Sequence, residues 1–107
     1  FKGVCEANAR GCEVTVERII YSEPVIFDAG VIDQVRGATQ ALDLPYMEMV
    51  SGAGHDAMHI AGLCPAGMIF VPCEKGLSHN EAESASAPDL AAGARVLAAS
   101  LVGLANR

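Results

Sequence analysis

The 107-residue chain sets seven basic against thirteen acidic side chains, a formal charge of −6 at pH 7, and is 51% hydrophobic without tryptophan. That balance argues against nucleic acid or an anionic membrane as a partner bound through a broad basic face. No uninterrupted apolar run reaches the roughly 18 residues that span a bilayer, and the N-terminus lacks the succession of a signal peptide. The expected compartment is therefore the cytosol, and the length suits one domain that buries roughly 65% of its unfolded surface.

The first block reads as a helix running into a strand. In "EVTVERIIYSEPVIF", Val14, Val16 and Arg18 alternate with Thr15 and Glu17, and Pro24 ends the pairing or bends the segment. "SEPVIFDAG" changes character enough to mark a junction, dividing residues 1–22 from residues 23–107. From Gly30, Val31, Val35, Ala38 and Leu42 repeat at helical spacing, and Leu44-Pro45 closes that helix. "YMEMVS" is a short strand, and "GHDAMHIAGL" a short helix with a glycine-rich entry. "GMIFVP" is an uninterrupted apolar strand of the kind buried on both faces in parallel sheets. The last helix starts at Ser86 near Pro88 and Asp89 and carries Leu90, Ala94, Leu97, Leu101 and Leu104 along one face.

This order predicts an α/β fold with right-handed crossovers, a partial layered sheet with helices, since the strands are too few for a complete doubly wound sheet. Beginning at Phe1 with a helix already under way, the chain reads as the end of something longer. Cys5, Cys12, Cys64 and Cys73 lie far apart without C-x-x-C pairing and mostly beside apolar residues, so they are expected to be reduced and buried.

Sites in open α/β sheets form at the carboxyl ends of strands. Two loops fit that place. "SGAGHDA" (51–57) sets small residues before a histidine at a helix start, where backbone N–H groups can approach an anion or carbonyl; a plain strand-to-helix turn is the alternative. "CEKGLSHNEAE" (73–83) gathers Ser78, His79, Asn80 and Glu83; solvated loop polarity is the alternative. A third possibility is a self-contained zinc site, because His55, Asp56 and His59 in "HDAMH" mimic the H-E-x-x-H motif, with His79 as third ligand. Against it, Asp56 is a methylene shorter than the motif's glutamate, and His59 sits between Met58 and Ile60 on a short apolar helix.

Taken in order, "SGAGHDA", "MIFVP" and "GLSHNEAE" resemble the C-terminal part of the hydantoinase/carbamoylase family of zinc-dependent amidohydrolases. "VERIIYSEPVIFD" is similar to that family's passage from its lid or dimerisation domain back into the catalytic domain. The resemblance implies a zinc-peptidase-like catalytic domain in which water bridging two zinc ions attacks a ureido or amide carbonyl, with a glutamate as general base. With an N-carbamoyl amino acid as substrate, the resemblance implies release of ammonia and carbon dioxide.

On that resemblance His79 is a metal ligand, Gly54 and His55 contact the substrate's carboxylate or ureido group, and Asn80 and Glu83 hold the loop around His79. It implies that the remaining zinc ligands, the general base and the lid's substrate-binding residues lie outside these residues. No catalytic residue is then expected in this chain, and by itself it is expected to be inactive and to retain zinc poorly. Aminoacylases and dipeptidases of the same superfamily are the nearest alternative. A non-catalytic α/β interaction module is the alternative of a different class; both it and the enzyme predict association, as a homodimer or higher.

Overall fold

The computed structural model describes residues 2–106, without the side chains of Lys2, Val4, Cys5 and Ala7. Its elements are α1 (Lys2–Ala9), α2 (Ala29–Ala41), α3 (Ala57–Ile60), a 3₁₀ turn (Glu74–Gly76) and α4 (Ala87–Ala105). All four expected helices form.

Local chemistry explains their ends. Asp28 caps α2: its side chain accepts a 2.9 Å hydrogen bond from the Val31 N–H. At the other end Asp43 adopts φ 52°, the Asp43 N–H reaches the Gln40 carbonyl, and the Leu44 N–H reaches back to Thr39. This is a Schellman closure with aspartate in the left-handed position, and Pro45 follows it. Ser86 caps α4 by accepting from the Asp89 N–H at 3.2 Å while its own hydroxyl donates to the Asp89 carboxylate at 2.5 Å. Pro88 sits in the first turn, where a missing N–H costs nothing.

The three expected strands do not form among the described residues: segments 13–27, 46–51 and 67–72 carry no strand pairing. A helix satisfies its backbone groups within itself, whereas a strand needs a neighbour, and no described segment supplies one. Ile20 and Ile26 accordingly stand 82% and 93% exposed. The radius of gyration is 19.1 Å, where a compact domain of this length has about 13 Å. The accessible surface is 8574 Å² for 11.1 kDa, where a folded monomer of that mass leaves about 5,700 Å². The expected single well-filled core is therefore absent from this arrangement.

The packed part is the contact between α2 and α4, and it corrects the expected face of α4. Val96 and Ser100 are buried there, facing Ala38 and Thr39 of α2, and Gly103 lies against Gln34. Leu90, Leu97 and Leu101 instead lie on the open side, 54%, 50% and 57% exposed; Leu104 is half-buried. The seam of α4 runs along Val96, Ser100 and Gly103 rather than the leucines, and small side chains at Ser100 and Gly103 let the two helices approach closely. The two buried hydroxyls are satisfied within their helices, Thr39 donating to the Val35 carbonyl and Ser100 to Val96, each at 2.7 Å.

By length and composition alone α4 also meets the criterion for crossing a membrane, 19 residues with a mean hydropathy of 1.3. Reading uninterrupted runs missed this, because Arg95 breaks the run without lowering the window average far. The cysteines need a correction too. Cys12, Cys64 and Cys73 are free thiols as expected, but Cys12 and Cys64 are exposed and Cys73 is half-buried. Apolar sequence neighbours bury a side chain only when another layer covers them. The side chain of Cys5 lies outside the described residues.

Candidate functional site

Residues 66–73 lie across both packed helices. The Asp28 N–H donates to the Ala66 carbonyl at 3.0 Å. A Cβ added to Gly67 would stand 2.8 Å from Val31 Cγ1, and one added to Gly93 would stand 2.5 Å from Val71 Cγ1. Only a hydrogen at these two positions lets the segment sit this close to α2 and α4. From that seat Phe70 and Cys73 project toward the two histidine loops.

The first loop is tied back to α2. Arg36 Nε donates to Glu48 Oε1 at 2.8 Å and a further guanidinium nitrogen pairs with Asp33, while Gln40 donates to the Tyr46 hydroxyl at 2.8 Å. The hydrogen bonds that Arg36 donates to Glu48 and then to Asp33 push its already high pKa higher. Beyond this tether Ser51 accepts the Ala53 N–H at 3.2 Å, and its Oγ lies 2.8 Å from His55 Nε2. The His55 ring meets Phe70 edge-on, with centroids 5.4 Å apart, and stands 5.9 Å from the His79 ring. The two histidine loops, 24 residues apart in number, thus share one site.

The second loop is closed at its base by a 2.7 Å hydrogen bond from the Glu74 N–H to the Ser84 carbonyl. Lys75, Gly76 and His79 all have positive φ, 55°, 67° and 53°. For His79 this is a strained conformation, and the Glu83 carboxylate opposes the strain. Glu83 Oε2 accepts the His79 N–H at 3.0 Å, and Oε1 accepts the Cys73 S–H at 3.7 Å. Asn80 adds an Asx turn, its Oδ1 accepting the Ala82 N–H at 2.8 Å and its carbonyl accepting the Glu83 N–H at 2.9 Å. Partial burial, then the charge of Glu83 and its hydrogen bond, raise the Cys73 thiol above the ordinary range.

Gly54 has no positive φ, and a Cβ there would meet nothing within 4 Å; the same holds for Gly52. Neither turn geometry nor neighbouring atoms in the described structure call for glycine at these places. The "HDAMH" zinc site does not assemble. His55 Nε2 is turned to Ser51, Asp56 and His59 are exposed around a single helical turn, and no group of three His, Cys, Asp or Glu among the described residues is placed to hold a metal. His79 keeps both ring nitrogens free of hydrogen bonds among the described residues. The donor set therefore fits one ligand of a metal site and not a whole one.

Ser51 and Phe70 were not singled out from the sequence, and Cys73 was read only as a reduced, buried thiol and not as part of the site. Ser51 lies within the quoted "SGAGHDA", four residues before His55, but the nine residues between Cys73 and Glu83 carry no pattern that announces their contact.

The chain is 47% identical over 94 residues to an N-carbamoyl-L-amino-acid amidohydrolase of Rhizobium meliloti, covering 88% of this chain and 22% of the relative. It is 41% identical over 96 residues to a ureidoglycolate hydrolase of Oryza sativa subsp. japonica, covering 89% and 20%. It thus spans about a fifth of the length of the curated relatives it matches. A crystal structure of an amidase of the hydantoinase/carbamoylase family from Burkholderia vietnamiensis superposes with a TM-score of 0.79 at 39% identity, over 95% of this chain and 25% of that one. These similarities bear out the hydantoinase/carbamoylase resemblance. With residues 3–102 matching its model, the chain belongs to peptidase family M20/M25/M40.

Proposed function

We propose that this chain forms part of a zinc-dependent amidohydrolase that cleaves the carbamoyl or ureido C–N bond of N-carbamoyl-amino-acid-like substrates. The observation that carries the reading is the meeting of the "SGAGHDA" and "GLSHNEAE" loops, with the His55 and His79 rings 5.9 Å apart. The names of the relatives, an N-carbamoyl-L-amino-acid amidohydrolase and a ureidoglycolate hydrolase, favour the ureido branch over aminoacylases and dipeptidases.

In this reading His79 is one zinc ligand, and the other ligands and the general base come from residues outside this chain. Bound zinc supplies Lewis-acid polarisation of the carbonyl and of water. The chain's own share is positioning. Glu83 and Asn80 hold the His79 loop in its strained shape, and His55, with the open backbone at Gly54, receives the substrate's carboxylate or ureido oxygen. Residues 1–22 end a lid or dimerisation domain, and residues 23–107 belong to the catalytic domain, where segments such as 67–72 pair as strands of an α/β sheet. The protein is cytosolic and assembles as a homodimer or higher oligomer, which the exposed apolar side chains of α4 and residues 16–26 support.

The test is His79→Ala in the intact enzyme carrying this sequence. Metal-dependent hydrolysis of N-carbamoyl amino acids is abolished while the circular dichroism spectrum is kept. Unchanged turnover refutes the assignment.

A further inference from the structure

We infer that Ser51 is a positioning residue that holds His55 in the tautomer protonated on Nδ1, so that the ring offers the substrate a hydrogen-bond donor. This rests on the proposed role of His55 in receiving a carboxylate or ureido oxygen.

The argument is an accounting of one hydroxyl. A serine hydroxyl has one proton to donate and two lone pairs that accept. One lone pair of Ser51 Oγ takes the Ala53 N–H at 3.2 Å, which orients the hydroxyl within the turn. Among the described residues the hydroxyl proton has one acceptor within reach, His55 Nε2 at 2.8 Å. An Nε2–H would instead fill the second lone pair and leave the hydroxyl proton no protein acceptor among the described residues; donation to Nε2 satisfies both groups, and in a neutral imidazole the proton then resides on Nδ1. The ring lies edge-on to Phe70 at 5.4 Å and beside His79 at 5.9 Å. Nδ1 has no hydrogen-bond partner among the described residues.

A donor at this place suits the chemistry of the substrates proposed. Carboxylate and ureido oxygens are acceptors, whereas an Nδ1 lone pair would repel them. Ser51 thus decides whether His55 attracts or repels the same group, while touching no substrate itself.

Two measurements test this on the intact enzyme carrying this sequence. Long-range ¹H–¹⁵N NMR of the histidine-labelled protein shows the Nδ1–H form for His55 and its loss in Ser51→Ala. For an N-carbamoyl amino acid, Ser51→Ala raises KM about five- to tenfold with kcat within about twofold, the loss of one substrate hydrogen bond, and Ser51→Thr restores KM. An Nε2–H signal for His55 in the unsubstituted enzyme overturns the inference, as does a KM that Ser51→Ala leaves unchanged in an active enzyme. If the enzyme hydrolyses no ureido substrate, the proposed function fails, and the NMR signal alone decides the tautomer.

Discussion

Removing the Glu83 carboxylate tests how the strained loop presents His79. Keeping a residue with a Cβ in the left-handed region costs about 1–2 kcal/mol, and His79 sits there at φ 53°. The carboxylate opposes that cost through its 3.0 Å bond to the His79 N–H. A charge-assisted bond of this kind contributes about 1.5–3 kcal/mol when shielded, and the exposure of Glu83 reduces it to about 1 kcal/mol. Losing about 1 kcal/mol shifts the loop equilibrium about fivefold, and a metal that binds only the present geometry loses up to that factor in affinity. Glu83→Ala is therefore expected to weaken zinc binding by the intact enzyme up to about fivefold, read by chelator competition, with activity recovered in excess zinc. Glu83→Gln keeps an oxygen acceptor and stays within about twofold of the unsubstituted enzyme. The reasoning fails if Glu83→Ala binds zinc unchanged. It fails equally if Glu83→Gln loses as much as Glu83→Ala, since charge rather than loop shape would then be at work.

Three further outcomes are expected. Gly54→Ala leaves stability unchanged or raises it by about 0.4–1 kcal/mol in thermal unfolding, because its Cβ meets open space, yet raises KM for a ureido substrate by obstructing the backbone. A rise in KM no larger than for Gly52→Ala speaks against a substrate role for Gly54. Gly93→Ala forces a Cβ to 2.5 Å from Val71 Cγ1; an overpacking cost of about 1–3 kcal/mol against a helix-propensity gain of about 1 kcal/mol leaves a net loss of up to about 2 kcal/mol. The expected net loss in denaturant unfolding is relieved by adding Val71→Ala, and additivity of the two would show that the clash does not form. Finally, the folded loop favours the protonated Cys73 thiol. Its stabilising effect is intact below the ordinary thiol range and fades as pH rises through the raised value. At about pH 8.5, iodoacetamide should label the exposed Cys12 and Cys64 before Cys73, and peptide mapping reporting Cys73 first would contradict the contact with Glu83.

What was legible in the sequence was what is local. The Ser86–Asp89 cap, the Pro45 stop and the helical spacing from Val31 all correspond to formed helices, because a helix closes its hydrogen bonds within a few residues. The family was legible for a different reason: its loops carry specific residue types in fixed order, and "SGAGHDA" and "GLSHNEAE" stand out without any knowledge of contacts. Everything that depends on a distant neighbour was decided by tertiary structure. Whether "GMIFVP" is a strand depends on a partner chain segment, and none is present among the described residues. Which face of α4 packs depends on how closely α2 can approach, and glycine, alanine and serine won that contest over leucine. The bonds from Ser51 to His55 and from Glu83 to both His79 and Cys73 follow from how two loops fold over one seat. A histidine can thus be found by motif, but the direction in which it is held is a property of the folded chain.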